Sequence, residues 1–124
     1  MYGIFINEDR HSWATMIAVG RKTVETRSRN MLKNLVGERV ALISTRRDRF
    51  PIIVGYATIT RADHVGEEEF NSWEWFSKHF VCEADEYASN GYGKWCYTMS
   101  NAEACAPYAL PADAIRHGRS YAEF

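Results

Sequence analysis

The sequence predicts an α+β domain: a small closed β-barrel of five or six strands with a few helices set between them. Three observations predict it. Consecutive segments carry apolar residues on both faces, as strands covered on both sides do. One of them, Pro51 to Thr60, holds an interior glycine, Gly55, which suggests a bulge or a barrel bend. Two other segments repeat their apolar residues at helical spacing.

Residues 2–6 are a short apolar segment that reads as a first strand. His11 to Val19 reads as a helix, with Trp13, Met16 and Ile17 on one stripe. Gly20 follows where a helix-ending glycine belongs, because glycine takes the left-handed conformation without strain. Lys22 to Arg27 alternates and is β-branched, hence a strand. Period two places Thr23, Glu25 and Arg27 on one face and Lys22, Val24 and Thr26 on the other. Met31 to Val36 is a helical turn ended by Gly37, and residues 38–45 are a strand. Arg46-Arg47-Asp48-Arg49 is a hairpin loop into the strand that holds Gly55. Residues 67–80 change to helical spacing through Phe70, Trp73 and Phe80, with Glu67, Glu68 and Glu69 in the first turn, where carboxylates suit the helix dipole. Residues 83–89 read as a second short helix and Asn90-Gly91-Tyr92-Gly93 as a turn. Lys94 to Met99 is a strand, and Tyr121 to Phe124 a last short one.

At 124 residues the chain is expected to be one domain, 1–124. Its 46% hydrophobic and 25% charged residues exclude a disordered chain, and no apolar run reaches the length of a membrane span. The first ten residues lack the basic and long apolar regions of a secretion signal. Cys82, Cys96 and Cys105 are odd in number and form no CxxC pair, so the expected setting is a reducing cytoplasm. Neither they nor His11, His64, His79 and His117 have the spacing of metal ligands. No metal and no cofactor is expected.

Charge is unevenly spread. Residues 1–61 hold 11 Lys/Arg and 5 Asp/Glu, a balance of +6, and residues 62–124 hold 4 and 11, a balance of −7. Such asymmetry can mark a face for an anionic partner, or the halves can neutralise each other across the fold.

Gly20-Arg21-Lys22-Thr23-Val24-Glu25-Thr26-Arg27 resembles the signature of the ASCH domain family, in the PUA-like superfamily: a helix ending in glycine, then G-x-K-T-x-E-x-R on a strand. Leu35 to Ile43 resembles the family's glycine turn and second strand, and Ile53-Val54-Gly55-Tyr56-Ala57 its third. Gly93 to Tyr97 sits where a late core strand is expected. The resemblance implies a PUA-like β-barrel with a helix across a cleft lined by the Lys, Glu and Arg of the motif. Similar domains are associated with RNA or nucleotide ligands. Some relatives are amidohydrolases that deacetylate N4-acetylcytidine, and at least one is a ribonuclease. In the amidohydrolase branch a nucleophilic threonine stands where this chain has Glu25, so Lys22 matches that branch and the nucleophile does not.

The first expectation is therefore that RNA, a nucleotide or a modified nucleoside binds in a cleft between the barrel and the first helix, through Lys22, Glu25, Arg27, Arg21, Arg29 and Trp13. No membrane partner is expected. Glu25 and Arg27 could simply pair as surface ions. If instead they face a partly dry cleft, the guanidinium suits phosphate or a base edge and the carboxylate suits an exocyclic amine. Glu25→Gln is then expected to weaken binding by roughly 1–3 kcal/mol and to affect folding less. The enzyme alternative is a small amidohydrolase or ribonuclease, with Lys22 transferring a proton and Glu25 activating water as the catalytic residues. Basic residues 46–49 could extend the site along a phosphodiester backbone. Tyr56, Tyr92, Trp95 and Tyr97 could stack bases or fill the core. A third reading takes the acidic half as a protein-docking surface, with 67–75 as its helix.

Overall fold

Strand β1 (Tyr2–Asn7) buries Gly3, Ile4, Phe5 and Ile6 and runs parallel to β3 (Arg39–Arg46), with Ile4 opposite Leu42. Between them helix α1 (Trp13–Ala18) turns Trp13, Ala14, Ile17 and Ala18 inward, and Met16 lies half-buried at the margin of that face. Ser12 does not cap this helix with its side chain; the Glu8 carboxylate does so from the end of β1, accepting the Thr15 N–H at 3.1 Å and its hydroxyl at 3.2 Å. At the other end Gly20 (φ 79°) closes a Schellman motif: its N–H donates to the Ile17 carbonyl and the Arg21 N–H to that of Met16, both at 2.9 Å. The structure, a computed structural model, describes residues 1–89 and 91–124.

Strand β2 (Val24–Arg27) is followed by a 3-10 turn (Lys33–Leu35), β3, and the long strand β4 (Arg49–Val65). Two helices, α2 (Glu67–Phe70) and α3 (Trp73–His79), lead to β5 (Lys94–Ala109), and the chain closes with β6 (Ile115–His117) and β7 (Tyr121–Glu123). The seven strands form one sheet in the order β2-β5-β4-β3-β1-β7-β6. Two apolar clusters cover it. Ile4, Ile6, Leu42, Val54 and Ile59 pack with α1 in one, and Phe5, Ile43, Ile53, Leu110 and Ala122 form the other.

The expected α+β class is present, but the sheet of the described residues has seven strands, not five or six, and it does not close into the expected barrel, ending instead at β2 and β6. Two-sided apolarity reports that both faces are covered, and an open sheet with a cluster on each face satisfies it as well as a barrel does. The bend at Gly55 is present. Register shifts flank it in the pairings with β3 and β5, and a Cβ there would lie 2.5 Å from the Glu103 carbonyl oxygen and 2.8 Å from the Ala18 Cβ. Glycine is thus what lets α1 lie on β4. Gly55→Val is expected to lower stability by about 1–3 kcal/mol or more through overpacking, read as a drop in the urea midpoint at unchanged slope. A change below a few tenths of a kcal/mol would show that α1 is not seated there.

Other expectations shift for local reasons. Residues 67–80 are two helices, because Ser72 takes an extended conformation and its hydroxyl binds the Glu69 carbonyl at 2.6 Å. Residues 83–89 make turns instead of a helix, with the Asp85 carboxylate accepting the Tyr87 N–H at 2.9 Å. Of the expected turn 90–93, Asn90 lies outside the described residues. Strand β5 continues ten residues past Met99 to Ala109 because β4 pairs with it that far, with Ile52 opposite Ala109.

Candidate functional site

The short strand β7 pairs only with the first half of β1, Tyr2 to Ile4, so the second half, Phe5 to Asn7, has no β7 residue opposite. The sheet curls until β2, at its edge, faces that uncovered half. Arg27 on β2 spans the gap: Nη2 donates to the Phe5 carbonyl at 2.6 Å, and Nη1 donates to the Thr26 carbonyl at 3.1 Å and to the Glu25 carboxylate. The seam left between the two strands is a cleft of about 260 Å³. Phe5, Ile6, Trp13, Met31 and Tyr87 make its apolar wall, and Asn7, Glu25, Arg27, Ser28 and Lys94 are among its polar lining.

The Schellman turn decides where Lys22 goes. The Lys22 N–H still donates to the Met16 carbonyl at 3.1 Å and the Thr23 N–H to that of Lys78 at 3.0 Å, so regular pairing with β5 begins only at Val24. Lys22 therefore escapes the strand alternation and lies on the same side as Glu25. It is 1% exposed, with Nζ 3.9 Å from Glu25 Oε1, donating to the His79 carbonyl, and 4.9 Å from the centre of the Trp13 ring. Burial pushes the ammonium down to about 8, against the Glu25 charge that favours it.

Glu25 is 3% exposed. Burial alone would raise its pKa, but the Arg27 and Lys22 charges, with hydrogen bonds from Arg27 and the Thr26 N–H, outweigh it and hold the carboxyl below the usual glutamate range. Lys94, at the start of β5, is buried too, its Nζ 3.4 Å from the Ser28 hydroxyl, and burial lowers its pKa. Three basic side chains, Lys22, Arg27 and Lys94, thus lie around one fully engaged carboxylate. On the aromatic side His11 stacks on Trp13 at 4.2 Å and binds Asp85 at 2.8 Å, while Tyr87 meets the Trp13 ring edge-on at 5.4 Å. The Asp85 turn is what aims Tyr87 into the cleft.

No protein-family model matches the chain, and no curated protein matches it. Solved structures do. The ASCH protein of Zymomonas mobilis superposes with a TM-score of 0.68 at 20% identity, over 87% of this chain and 73% of that one. Two single-substitution variants of that protein give a TM-score of 0.69 at 21% and 20% identity, again over 87% of this chain and over 74% and 76% of theirs. The chain has the ASCH fold. On this ASCH fold the expected residues are placed unequally. Trp13, Glu25 and Arg27 line the cleft, whereas Lys22 lies behind the lining under Trp13, and Arg21 and Arg29 are exposed and outside it. Arg21 packs over the Phe80 ring instead.

The hairpin arginines are each engaged: Arg46 with Asp48 at 3.0 Å, Arg47 with Asp9 at 3.7 Å, and Arg49 with Glu8 at 3.9 Å. Pairs such as Arg10–Glu86 and Arg39–Glu103 join the basic half to the acidic one. Tyr97 is core, its hydroxyl donating to Asn30 at 2.8 Å, and Trp95 sits edge-on to His64 at 5.3 Å. Cys96 is buried, and burial pushes its thiol up to about 12, so it is not a ready nucleophile. His117 stacks on Tyr121 and lies 3.6 Å from Glu123. Among the described residues no three His, Cys, Asp or Glu side chains are grouped to hold a metal ion, and no helix is long and apolar enough to cross a membrane.

Lys94 and Tyr87 are two of the lining residues that sequence reasoning missed. A signal existed for Lys94: it shares the inward phase of β5 with the buried Cys96. For Tyr87 there was none, because its place depends on a turn built by a side chain.

Proposed function

We propose that the cleft binds a nucleoside unit, free, modified or carried in a nucleotide or RNA. The single observation that carries this reading is the pairing of a nucleoside-sized apolar slot, walled by Trp13, Tyr87 and Phe5, with a floor where Arg27 and Lys94 offer donors. A planar base suits the aromatic wall, and its carbonyl or ring-nitrogen acceptors suit Arg27, Ser28 and Lys94. Glu25 acts chiefly through Arg27, which it holds in place. The resemblance to PUA-like domains and the ASCH fold support the same ligand class.

The hydrolytic alternative draws less support from the geometry. A carboxylate with a lowered pKa and partners on both oxygens is a weak general base, and Lys22 lies behind the lining. A continuous RNA track along residues 46–49 is likewise weakened, since those guanidinium groups are already paired.

A thermal-shift panel of ribonucleosides, modified nucleosides including N4-acetylcytidine, their monophosphates and short RNAs tests the reading. A member present at 100 times its Kd should stabilise the fold by about 2.7 kcal/mol and raise the midpoint by several degrees. Lys94→Ala and Tyr87→Ala should each remove most of that shift. A panel in which nothing moves the midpoint would end the proposal.

A further inference from the structure

Beside the cleft lies a second hollow of about 290 Å³, lined by Phe5, Asn7, Thr45, Arg116, Gly118 and Arg119. It shares Phe5 and Asn7 with the cleft, so the two spaces adjoin along the uncovered half of β1. The β6–β7 hairpin supplies its other wall. Gly118 (φ 59°) sits in the hairpin turn, between Arg116 and Arg119. The Arg116 guanidinium lies 5.3 Å from the centre of the Phe5 ring, and the Phe5 carbonyl is the acceptor of the Arg27 bond across the cleft.

These two arginines differ from Arg27 and from the arginines of residues 46–49. Arg27 is tied to Glu25, and Arg46, Arg47 and Arg49 each have a carboxylate within 4 Å. On the hairpin the carboxylate contact found among the described residues joins Glu123 to the His117 ring at 3.6 Å, leaving Arg116 and Arg119 outside it. Two exposed guanidinium groups line this hollow, with no carboxylate within 4 Å of either among the described residues, and meet the requirement for holding a phosphate: a forked donor array and positive charge.

We infer that Arg116 and Arg119 form a phosphate subsite, and that the cleft and this hollow together take a nucleotide, base in one and phosphate in the other. This rests on the nucleoside reading of the cleft and narrows it, since a free nucleoside would leave the arginine pair unused. The phosphate could be the terminal group of a mononucleotide or the internode of RNA. The chemistry recognised is shared, and the two sources are separated by experiment.

The test is calorimetric titration of the full chain with the four ribonucleosides, their 5′- and 3′-monophosphates and the corresponding dinucleoside monophosphates. Wild type is compared with Arg116→Ala/Arg119→Ala and with Arg116→Lys/Arg119→Lys, each checked for an unchanged unfolding midpoint. For the base that binds, a monophosphate should bind wild type roughly ten-fold or more tighter than the nucleoside. In the alanine pair that ratio should fall to within about two-fold, and in the lysine pair it should lie between. The advantage should also shrink as salt rises. A preference for dinucleoside monophosphates over monophosphates assigns the phosphate to RNA, and the reverse order to a free nucleotide; either order supports the subsite. Equal binding of nucleoside and nucleotide, or a phosphate advantage that survives in the alanine pair, overturns the subsite while leaving the nucleoside cleft standing. Failure of every nucleoside and nucleotide to bind overturns the cleft reading and the subsite with it.

Discussion

Glu25→Gln is expected to destabilise the fold by about 3–5 kcal/mol, the scale seen when one partner of a buried ion pair is removed. The reason lies in the neighbours. Lys22 and Arg27 keep their charges in a place with little water, and Glu25 is the carboxylate within 4 Å of either among the described residues. A neutral amide leaves two cations facing each other. Lys22, already pushed down to about 8, relieves part of this by losing its proton, so the penalty should shrink as pH rises from 7 toward 9. Lys22→Met in the Glu25→Gln background should recover part of the loss for the same reason. Urea unfolding of the single and double variants at pH 7 and pH 9 reads all of this. This prediction replaces the expectation that folding would suffer less than binding. That expectation assumed a cleft open enough for water to take the partner's place, and Glu25 is 3% exposed. A loss below about 1 kcal/mol, with ligand binding abolished, would return Glu25 to the role of a direct ligand contact.

Stability should also fall as pH drops from about 6.5 to about 4, by roughly 3 kcal/mol from His79 alone. Burial, first, pushes the His79 imidazole down to about 4 from its ordinary 6.5, with the Lys22 and Lys94 charges adding to it and the hydrogen bond to the Phe70 carbonyl opposing it. In that window the unfolded chain binds the proton and the folded chain does not, so stability present above pH 6.5 is lost as the pH falls toward 4. The geometry explains the neutral form. One ring nitrogen, Nε2, is 2.8 Å from the Phe70 carbonyl and donates to it, and Nδ1 accepts the Val81 N–H at 2.8 Å. The ring stacks on Phe70 at 4.0 Å. His79→Gln should be less stable at pH 7 and should lose less on acidification than wild type. Equal losses in the two proteins between pH 7 and pH 4.5, followed by chemical denaturation, would show that His79 does not carry the acid sensitivity. The effect reaches the site because the His79 carbonyl is the acceptor that holds Lys22.

Much of the chain's local structure was determined by the sequence itself. The stripe of Trp13 and Ile17, the glycine at position 20 and the alternation after it specify a helix, its left-handed end and a strand through interactions within a few residues of one another. Gly55 marked a bend because only a residue without a side chain allows so close an approach, and α1 does lie on it. The K-T-x-E-x-R run pointed to Glu25 and Arg27, which meet in the cleft. Tertiary structure alone decided the rest. Whether the sheet closes depends on where β7 stops along β1, and that pairing joins residues at opposite ends of the chain. The phase of Lys22 was set by a backbone bond to Met16 that breaks the strand alternation. Lys94 and Tyr87 enter the cleft from segments far from the motif, one through pairing with β4 and one through the Asp85 turn. Charge was the least legible feature: the arginines of residues 46–49 make a basic run in sequence, and each meets a carboxylate in space. Periodicity and propensity act over a turn or two of chain, whereas closure, burial and charge pairing depend on which distant segments come within a few ångströms.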